Sequence, residues 1–569
     1  MIRSDDFLEP LKYYENGLKD LLEENVEALF DELTKNSKVD VEENKTTCEK
    51  YYKEESALNK VKSRLARLKV GIVFTWIFII SSIIVSILMF VLLANSTNNK
   101  GLYIGVGIGC IVLAIGLFLL YFLYLRKKKK LLTSEKDKLE EICRKLRDEA
   151  WAQMAPLNAL FDERMSSQLF TKSAPIIEMD EHLMHSVEQR IVNQFNCPLD
   201  RSSAHSSLVV QSGSINTNPF ILRQALTMKM KPYTYTGSIV ITYTRTVSDG
   251  KGGYTTETVS QTLTAHVTRP KPYYSVDTSL TYYTDVGGKL SFMRAPAGLV
   301  GKTPKQMEKI ANKKDKEQTK KAARALKEGA AYTKITNSKF EAYINAEGRD
   351  NELEYRFLFT PLAQENYCYN FSKQDDIYYT KLKCANIIRS KHDYDMDYSG
   401  SPTNYYSFDY EVIKKKFHDY NMKYFEGIYF DFLPLISIPA FHENRSEPYI
   451  APRGEKDLLG MYEREVMVNR FEPSLFKPAD CDTDIILKVN AVGEDTTVTA
   501  YGYHADPRTD LVPVMGGDGH LHNVPVHYFE YLPVEESKLV KVFNNDSKSL
   551  VKNEANVINY KKYKVEYIG

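Results

Sequence analysis

Tryptophan is nearly absent from this chain: 2 Trp stand beside 39 Tyr and 26 Phe in 569 residues. Cysteine is sparse too. The seven thiols, at positions 48, 110, 143, 197, 368, 384 and 481, form no C-x-x-C pair, which excludes a disulfide scaffold. Net charge is only +1, so no nucleic-acid partner is expected. No nucleophile elbow, H-E-x-x-H, kinase signature or G-x-G-x-x-G occurs, and no repeat of fixed period. These absences point toward a non-catalytic protein without a cofactor. They say nothing about its biological task.

Charge is missing most conspicuously from two long runs. Val70–Ala94 and Gly101–Leu125 each hold about 25 residues without a single Asp, Glu, Lys or Arg. About 20 apolar residues cross a bilayer core as a helix. Both runs therefore read as transmembrane spans, although the mean hydropathy of the whole chain is only −0.37. The short Asn95–Lys100 link makes them an antiparallel hairpin. Lys60, Lys62, Arg64, Arg67 and Lys69 precede the first span, and Arg126, Lys127, Lys128, Lys129 and Lys130 follow the second. Positive-inside logic then places both termini in the cytoplasm, as in a multi-pass protein of a bacterial plasma membrane. Met1–Asp40 is acidic and has no apolar run, so no cleavable signal peptide is expected. Asn95-Ser96-Thr97 matches a glycosylation sequon but lies too near the bilayer to be read as an acceptor. Gly101, Gly105, Gly109 and Gly116 form a small-residue stripe. It is expected to pack against Ser81, Ser82 and Ser86 of the first span, or else to form a homo-oligomer.

Helical patterning continues beyond the spans. An amphipathic helix is expected over about Asp6–Thr34, carried by Leu18, Leu22, Val26, Phe30 and Leu33. Tyr51, Leu58, Val61, Leu65 and Leu68 form a heptad seam, and Leu132, Leu139, Ile142 and Leu146 continue it after the hairpin. The expectation is a cytoplasmic antiparallel coiled-coil stalk, ended or kinked by Pro156. The first 57 residues carry 16 Asp/Glu against 8 Lys/Arg.

From about Cys197 the texture becomes β-rich. Thr236–Val247 and Tyr254–Val267 alternate with period two around Ser248–Gly253, which predicts a hairpin. Asp484–Val492 with Thr496–Tyr503 predicts a second, and Thr509–Met515 with His520–Phe529 a third. Glu352–Phe359 reads as a strand with Leu353, Tyr355, Phe357 and Phe359 on one face. Phe408–Phe432 reads as a helix ended by Pro434 and Pro439. The fold class is thus a membrane α-hairpin plus α+β, with a β-rich antiparallel-sheet C-terminal body. The expected segments are 1–69, 70–125, 126–196, 197–302, 303–330 and 331–569.

Four segments are candidate sites. Gly298–Thr303 ends like a phosphate-binding loop, but Pro296 occupies the position that wants glycine. Thr303 and Pro304 fit a helix N-cap and first turn better. The helix so started, Pro304–Glu328, belongs to a segment with ten Lys/Arg against four Asp/Glu, counted from Lys302. It reads as a solvated helix or as a basic arm on anionic lipid. His504, His520 and His522 could hold a divalent metal with Asp506 or Asp518. Lys391–Tyr398 alternates acids but lacks the glycine and closing glutamate of a calcium loop. The favoured function is a membrane-anchored scaffold touching the lipid bilayer and protein partners. A metal-dependent tethered enzyme and an oligomeric pore-forming effector are the alternatives.

Overall fold

The computed structural model describes residues 7–95, 100–248, 254–329, 332–390, 396–449, 458–544, 557–560 and 563–569. Two compact units emerge. One comprises Glu27–Asp162 with Pro402–Tyr420, and the other Met1–Val26, Glu163–Ser401 and Asn421–Gly569.

The first unit is dominated by two very long helices. Val41–Asn95 is one uninterrupted α-helix. The returning helix runs Lys100–Leu120, passes through a π-turn at Tyr121–Leu125, and continues as Arg126–Asn158. Both are long and apolar enough to cross a membrane. Outside their mutual contact the apolar side chains are uncovered: Phe78 is 58% exposed, Ile87 59% and Val112 64%. The covered positions follow one rule along the first helix. Leu58, Val61, Leu65, Ile79, Ser82 and Ser86 are buried, with Leu68, Ile72, Thr75, Met89 and Leu93 half-buried between and beyond them. That is an unbroken three-four spacing through both its polar and its apolar half. On the return the covered positions are Tyr103, Gly107, Cys110, Ala114, Leu117 and Tyr121, then Leu125, Leu132, Leu139, Cys143 and Ala150. The step from Tyr121 to Leu125 is four where three is due. The π-turn supplies that extra residue and returns the seam to its partner. Val61, Leu65 and Leu132 accordingly form one buried cluster with Leu68 and Leu139. Ile142, expected in the seam, points outward at 44% exposure, and Cys143 takes its place. Pro156 lies in the last turn of its helix, which ends at Asn158.

The second unit is a large antiparallel-sheet body. Eight strands form one sheet: β1 (Ile177–Met179), β2 (His205–Ile215), β3 (Asn218–Ser248), β4 (Tyr254–Tyr283), β5 (Ser291–Arg294), β6 (Ala346–Glu347), β7 (Ile377–Leu382) and β8 (Ala385–Ser390). Their order is β1-β2-β3-β4-β8-β7-β5-β6. The second sheet holds β9 (Ile486–Val492), β10 (Asp495–Met515), β11 (Leu521–Asn544), β12 (Val557–Tyr560) and β13 (Tyr563–Tyr567), in the order β12-β13-β11-β10-β9. The helix Met461–Val468 is embedded among strands of both sheets, its Val466, Met467 and Val468 sharing a core with Val210, Ile221, Val489 and Val540. Tyrosine serves this interior as a core residue with a hydroxyl to place. Tyr282 donates to the Phe441 carbonyl at 2.6 Å, Tyr367 to that of Pro434 at 2.7 Å, and Tyr379 to Asn386 Oδ1 at 2.7 Å.

All three expected hairpins form, but the second and third share a strand. Asp495–Met515 is continuous, pairing with β9 at one end and with β11 along its full length. The β3–β4 ribbon also exceeds its sequence signal, pairing from Phe220–Tyr282 out to Ser248–Tyr254. Residues 249–253 of its expected turn lie outside the described residues. Beyond Thr227, where β2 stops, β3 runs on for about 70 Å at strand rise. There it stacks on the β10–β11 ribbon, burying Leu263, Ala265, Val524 and Val526 with Tyr235, Ile239, Ile241, Val512 and Val514 around them. The outward face of this arm is a hydroxyl ladder. Thr234 faces Thr268, Ser238 faces Thr264, Thr242 faces Ser260, Thr244 faces Thr258 and Thr246 faces Thr256.

Two readings need correction. Glu352–Leu358 is a helix, not a strand. Asn351 caps it by accepting from the Glu354 amide at 3.2 Å. Tyr355, Leu358 and Phe359 are buried while Leu353 and Phe357 are 83% and 58% exposed, a helical rather than alternating pattern. Pro434 lies inside the helix Tyr410–Ile436 without ending it, and Pro439 begins the next helix. The N-terminal helix is also less regular than its pattern. It is divided into Pro10–Tyr13, a π-turn Tyr14–Leu18 bent at Gly17, and Lys19–Ser37.

Candidate functional site

The histidines do not converge. His504 lies opposite Leu532, and His522 lies opposite Val514, ten residues further along β10. At strand rise that separates His504 from His522 by about 33 Å. His504 Nδ1 sits 2.8 Å from Asp482 Oδ2, and His522 Nε2 sits 2.9 Å from Asp518 Oδ2. His520 precedes β11, in the turn, so its same-face relation to His522 does not hold. Among the described residues no group of three or more His, Cys, Asp or Glu is arranged to hold a metal ion. The metal set His504, His520 and His522 is therefore not assembled, because β10 carries His504 away from the end that holds the other two. Of the Lys391–Tyr398 acids, Asp393 and Asp395 lie outside the described residues, while Asp397 accepts from the Ser399 amide and hydroxyl, both at 2.9 Å.

The phosphate-loop resemblance is answered by the chain itself. The Gly298 and Leu299 amides donate to Asp375 Oδ2 at 2.7 and 3.3 Å, and Arg294 pairs with the other oxygen of that carboxylate. A carboxylate thus sits where a phosphate would. Thr303 caps the basic helix through a full capping box with Gln306, and Pro304 opens its first turn.

In the long helices the packing glycine is Gly107. A Cβ there would meet the Phe90 ring at 3.2 Å, whereas a Cβ at Gly101, Gly105, Gly109 or Gly116 would meet no other segment within 4 Å. Ser86 Oγ donates to the Gly107 carbonyl at 3.1 Å. The expected stripe therefore does not form the contact between the spans. The stripe sits at four-residue intervals, and the seam is set by the three-four spacing that selects Gly107 and Ala114. The ten collar cations, Lys60, Lys62, Arg64, Arg67, Lys69 and Arg126 to Lys130, are all exposed. Lys62 reaches Glu140 at 3.0 Å, and Arg126 stacks 5.1 Å from the Phe122 ring centre.

Sequence reasoning missed a cavity of about 640 Å³ in the body. Arg223 of β3, Ser279 and Tyr283 of β4 and Arg389 of β8 line it, with Cys197, Asp200, Cys384 and Tyr462. Arg223 pairs with Asp200 at 3.1 Å, approaches Glu465 at 3.7 Å, and lies 4.3 Å over the Tyr462 ring. Burial pushes the Cys197 thiol up to about 11, so it stays protonated at neutral pH and is a weak nucleophile. Beside the cavity, burial brings Lys381 down to about 8, its ammonium held by the Lys383 carbonyl at 2.8 Å and Asn386 Oδ1 at 3.3 Å. The contributing segments are scattered from Phe195 to Tyr462, and no spacing signal joins them.

A buried ionic network adjoins this wall. Glu463, Arg464 and Glu465, consecutive in the embedded helix, are each at most 2% exposed. Glu465 accepts from the Ser207 amide and hydroxyl at 2.9 and 2.8 Å and pairs with Lys488 at 2.5 Å. Arg464 donates to Thr496 Oγ1 and the Gly493 carbonyl, and Glu188 accepts from the first two amides of the helix. Partners from β2, β9 and β10 thus hold the helix in one register. No protein-family model matches the chain, and no curated protein or solved structure matches it either.

Proposed function

We propose that this chain is a membrane-anchored, cytoplasm-facing scaffold. A two-span hairpin holds it in a bacterial plasma membrane with both termini inside. A coiled-coil stalk continues the hairpin, and the β-rich body binds protein partners. The observation that carries this reading is the uncovered apolar surface of Val41–Asn95 and Lys100–Leu120, where Phe78, Ile87 and Val112 stand more than half exposed beside a satisfied helix–helix seam. A surface that apolar on both helices is stable in lipid and costly in water. The body adds long strand ribbons with hydroxyl-rich outer faces, a surface suited to contact rather than to turnover.

Side-specific thiol labelling tests the topology. Native Cys48 and Cys481 are buried, at 4% and 7% exposure, so their labelling would report burial rather than side. Cysteines introduced as Lys45→Cys, Lys289→Cys and Ser96→Cys serve instead. An impermeant maleimide applied to intact cells should modify Ser96→Cys alone. Modification of Lys45→Cys or Lys289→Cys from outside refutes the assigned orientation. Release of the protein by alkaline carbonate refutes the anchor.

A further inference from the structure

The helix Pro304–Glu328 is held to its neighbours by one face only. Ala325 is buried and Met307, Ile310, Ala322 and Gln318 are half-buried. Gln318 Nε2 reaches Glu341 at 3.4 Å, and Lys334 reaches Asp315 at 2.6 Å. The opposite face carries Lys305, Lys309, Lys313, Lys316, Lys320, Arg324 and Lys327, every one of them exposed. At 3.6 residues per turn these seven positions fall within an arc of about 100°. They run along about 33 Å of helix. No Asp or Glu lies inside the arc. Lys313 has a loose contact with Glu317 at 4.0 Å, and the other six have no ion-pair partner among the described residues. Leu326, 84% exposed, lies about 60° outside the arc.

We infer that this stripe docks on an anionic lipid leaflet. A straight row of long cations along a rigid helix matches a flat, laterally continuous negative surface. The flexible lysine stems let each head find its own lipid. The segment has no aromatic residue, so it lacks the stacking platform that single-stranded nucleic acid requires. The inference rests on the anchoring reading above: two membrane spans in the same chain raise the effective concentration of the helix at a bilayer. The basic collars on both spans mark the same leaflet as the anionic one.

Lysine footprinting of the full chain in lipid nanodiscs tests it. An amine-reactive ester is applied to protein in phosphatidylcholine discs, with or without phosphatidylglycerol. Lys305, Lys309, Lys316, Lys320 and Lys327 should lose at least threefold in reactivity in the anionic discs only, and regain it in high salt. Lys289, exposed elsewhere on the body, should not change. In Lys313→Glu/Lys316→Glu/Lys320→Glu, the protection of Lys305 and Lys327 should vanish while Lys289 reacts as before. Equal reactivity in both lipids overturns the inference, and leaves the anchor standing if the protein co-elutes with both kinds of disc. Protection by duplex DNA or an acidic peptide, without protection by anionic lipid, also overturns it. Failure to co-elute with either disc overturns the anchor and the inference together.

Discussion

At Gly237 the backbones of two ribbons approach too closely to admit a side chain, and replacing it should loosen the arm they form. A Cβ at this position would stand 2.0 Å from the Pro525 carbonyl oxygen and 2.9 Å from its carbon. Both obstacles are backbone, so no rotamer change relieves them. A carbon–oxygen contact settles near 3.3 Å or beyond, so Gly237→Ala must part the ribbons by more than about 1 Å. A gap of about 0.5–1 Å already forfeits a quarter to a half of the dispersion well. The cluster across this gap contains Leu263, Val524 and Val526, at 3%, 0% and 0% exposure. Each such side chain contributes about 1.5–3 kcal/mol when fully buried. The expected loss is therefore about 1–4 kcal/mol, confined to the arm. An isolated two-stranded ribbon is marginal in water, so this loss should appear as faster amide exchange. Exchange at Ile239, Ile241, Val524 and Val526 should accelerate by about tenfold or more, since about 1.4 kcal/mol corresponds to a factor of ten. The embedded helix Met461–Val468 should keep its protection. Unchanged exchange in both ribbons would refute the close approach. Equal acceleration throughout the body would refute the independence of the arm.

Other substitutions probe other links. Gly107→Leu should disrupt the contact between the two long helices, seen as increased crosslinking heterogeneity or lower thermal stability in detergent, while Gly105→Leu should not. Glu465→Gln leaves Lys488 and Arg223 short of a buried counter-charge and should destabilise the body by about 3–5 kcal/mol, read by urea denaturation. His442 is buried without a partner for Nε2 among the described residues, and burial lowers its imidazole to about 4. Because the folded value lies below the unfolded one, its neutral form supports the fold above about pH 6.5. That support is lost progressively as pH falls toward 4. The shift corresponds to about 3 kcal/mol, and His442→Gln should flatten the pH dependence of the melting temperature between those limits.

Much of this architecture was legible where one pattern spoke alone. The apolar runs, the capping signal Thr303-Pro304 and the period-two ribbons each depend on local chemistry, and each lies where its residues placed it. Where two periodicities compete, the reading failed. Glu352–Phe359 offers an alternating aromatic face, yet the Asn351 cap and the burial of Tyr355 with Leu358 turn it into a helix. The glycine stripe misled for a related reason. Four-residue spacing marks a close helix approach in isolation, but here Phe90 and Ser86 select Gly107, which lies between the stripe positions. The histidines looked close because they are close in number, and the turn at Gly516–Gly519 concealed that β10 carries His504 away from the tip. The cavity around Arg223 could not be foreseen, since its walls come from strands β3, β4, β7 and β8, from loops, and from Tyr462 of the embedded helix, which only the tertiary fold brings together.

The π-turn at Tyr121–Leu125 has a consequence for how this hairpin can vary. It holds a single supernumerary residue at the boundary between the apolar and basic parts of the returning helix. Deleting one residue there converts the turn to ordinary α-helix and leaves every later seam position, from Leu132 to Ala150, facing the same way. Deleting one residue a few turns earlier rotates the apolar residues before the deletion by about 100° relative to those after it. The returning helix thus has one place where its length is adjustable, and that place lies at the edge of the apolar span.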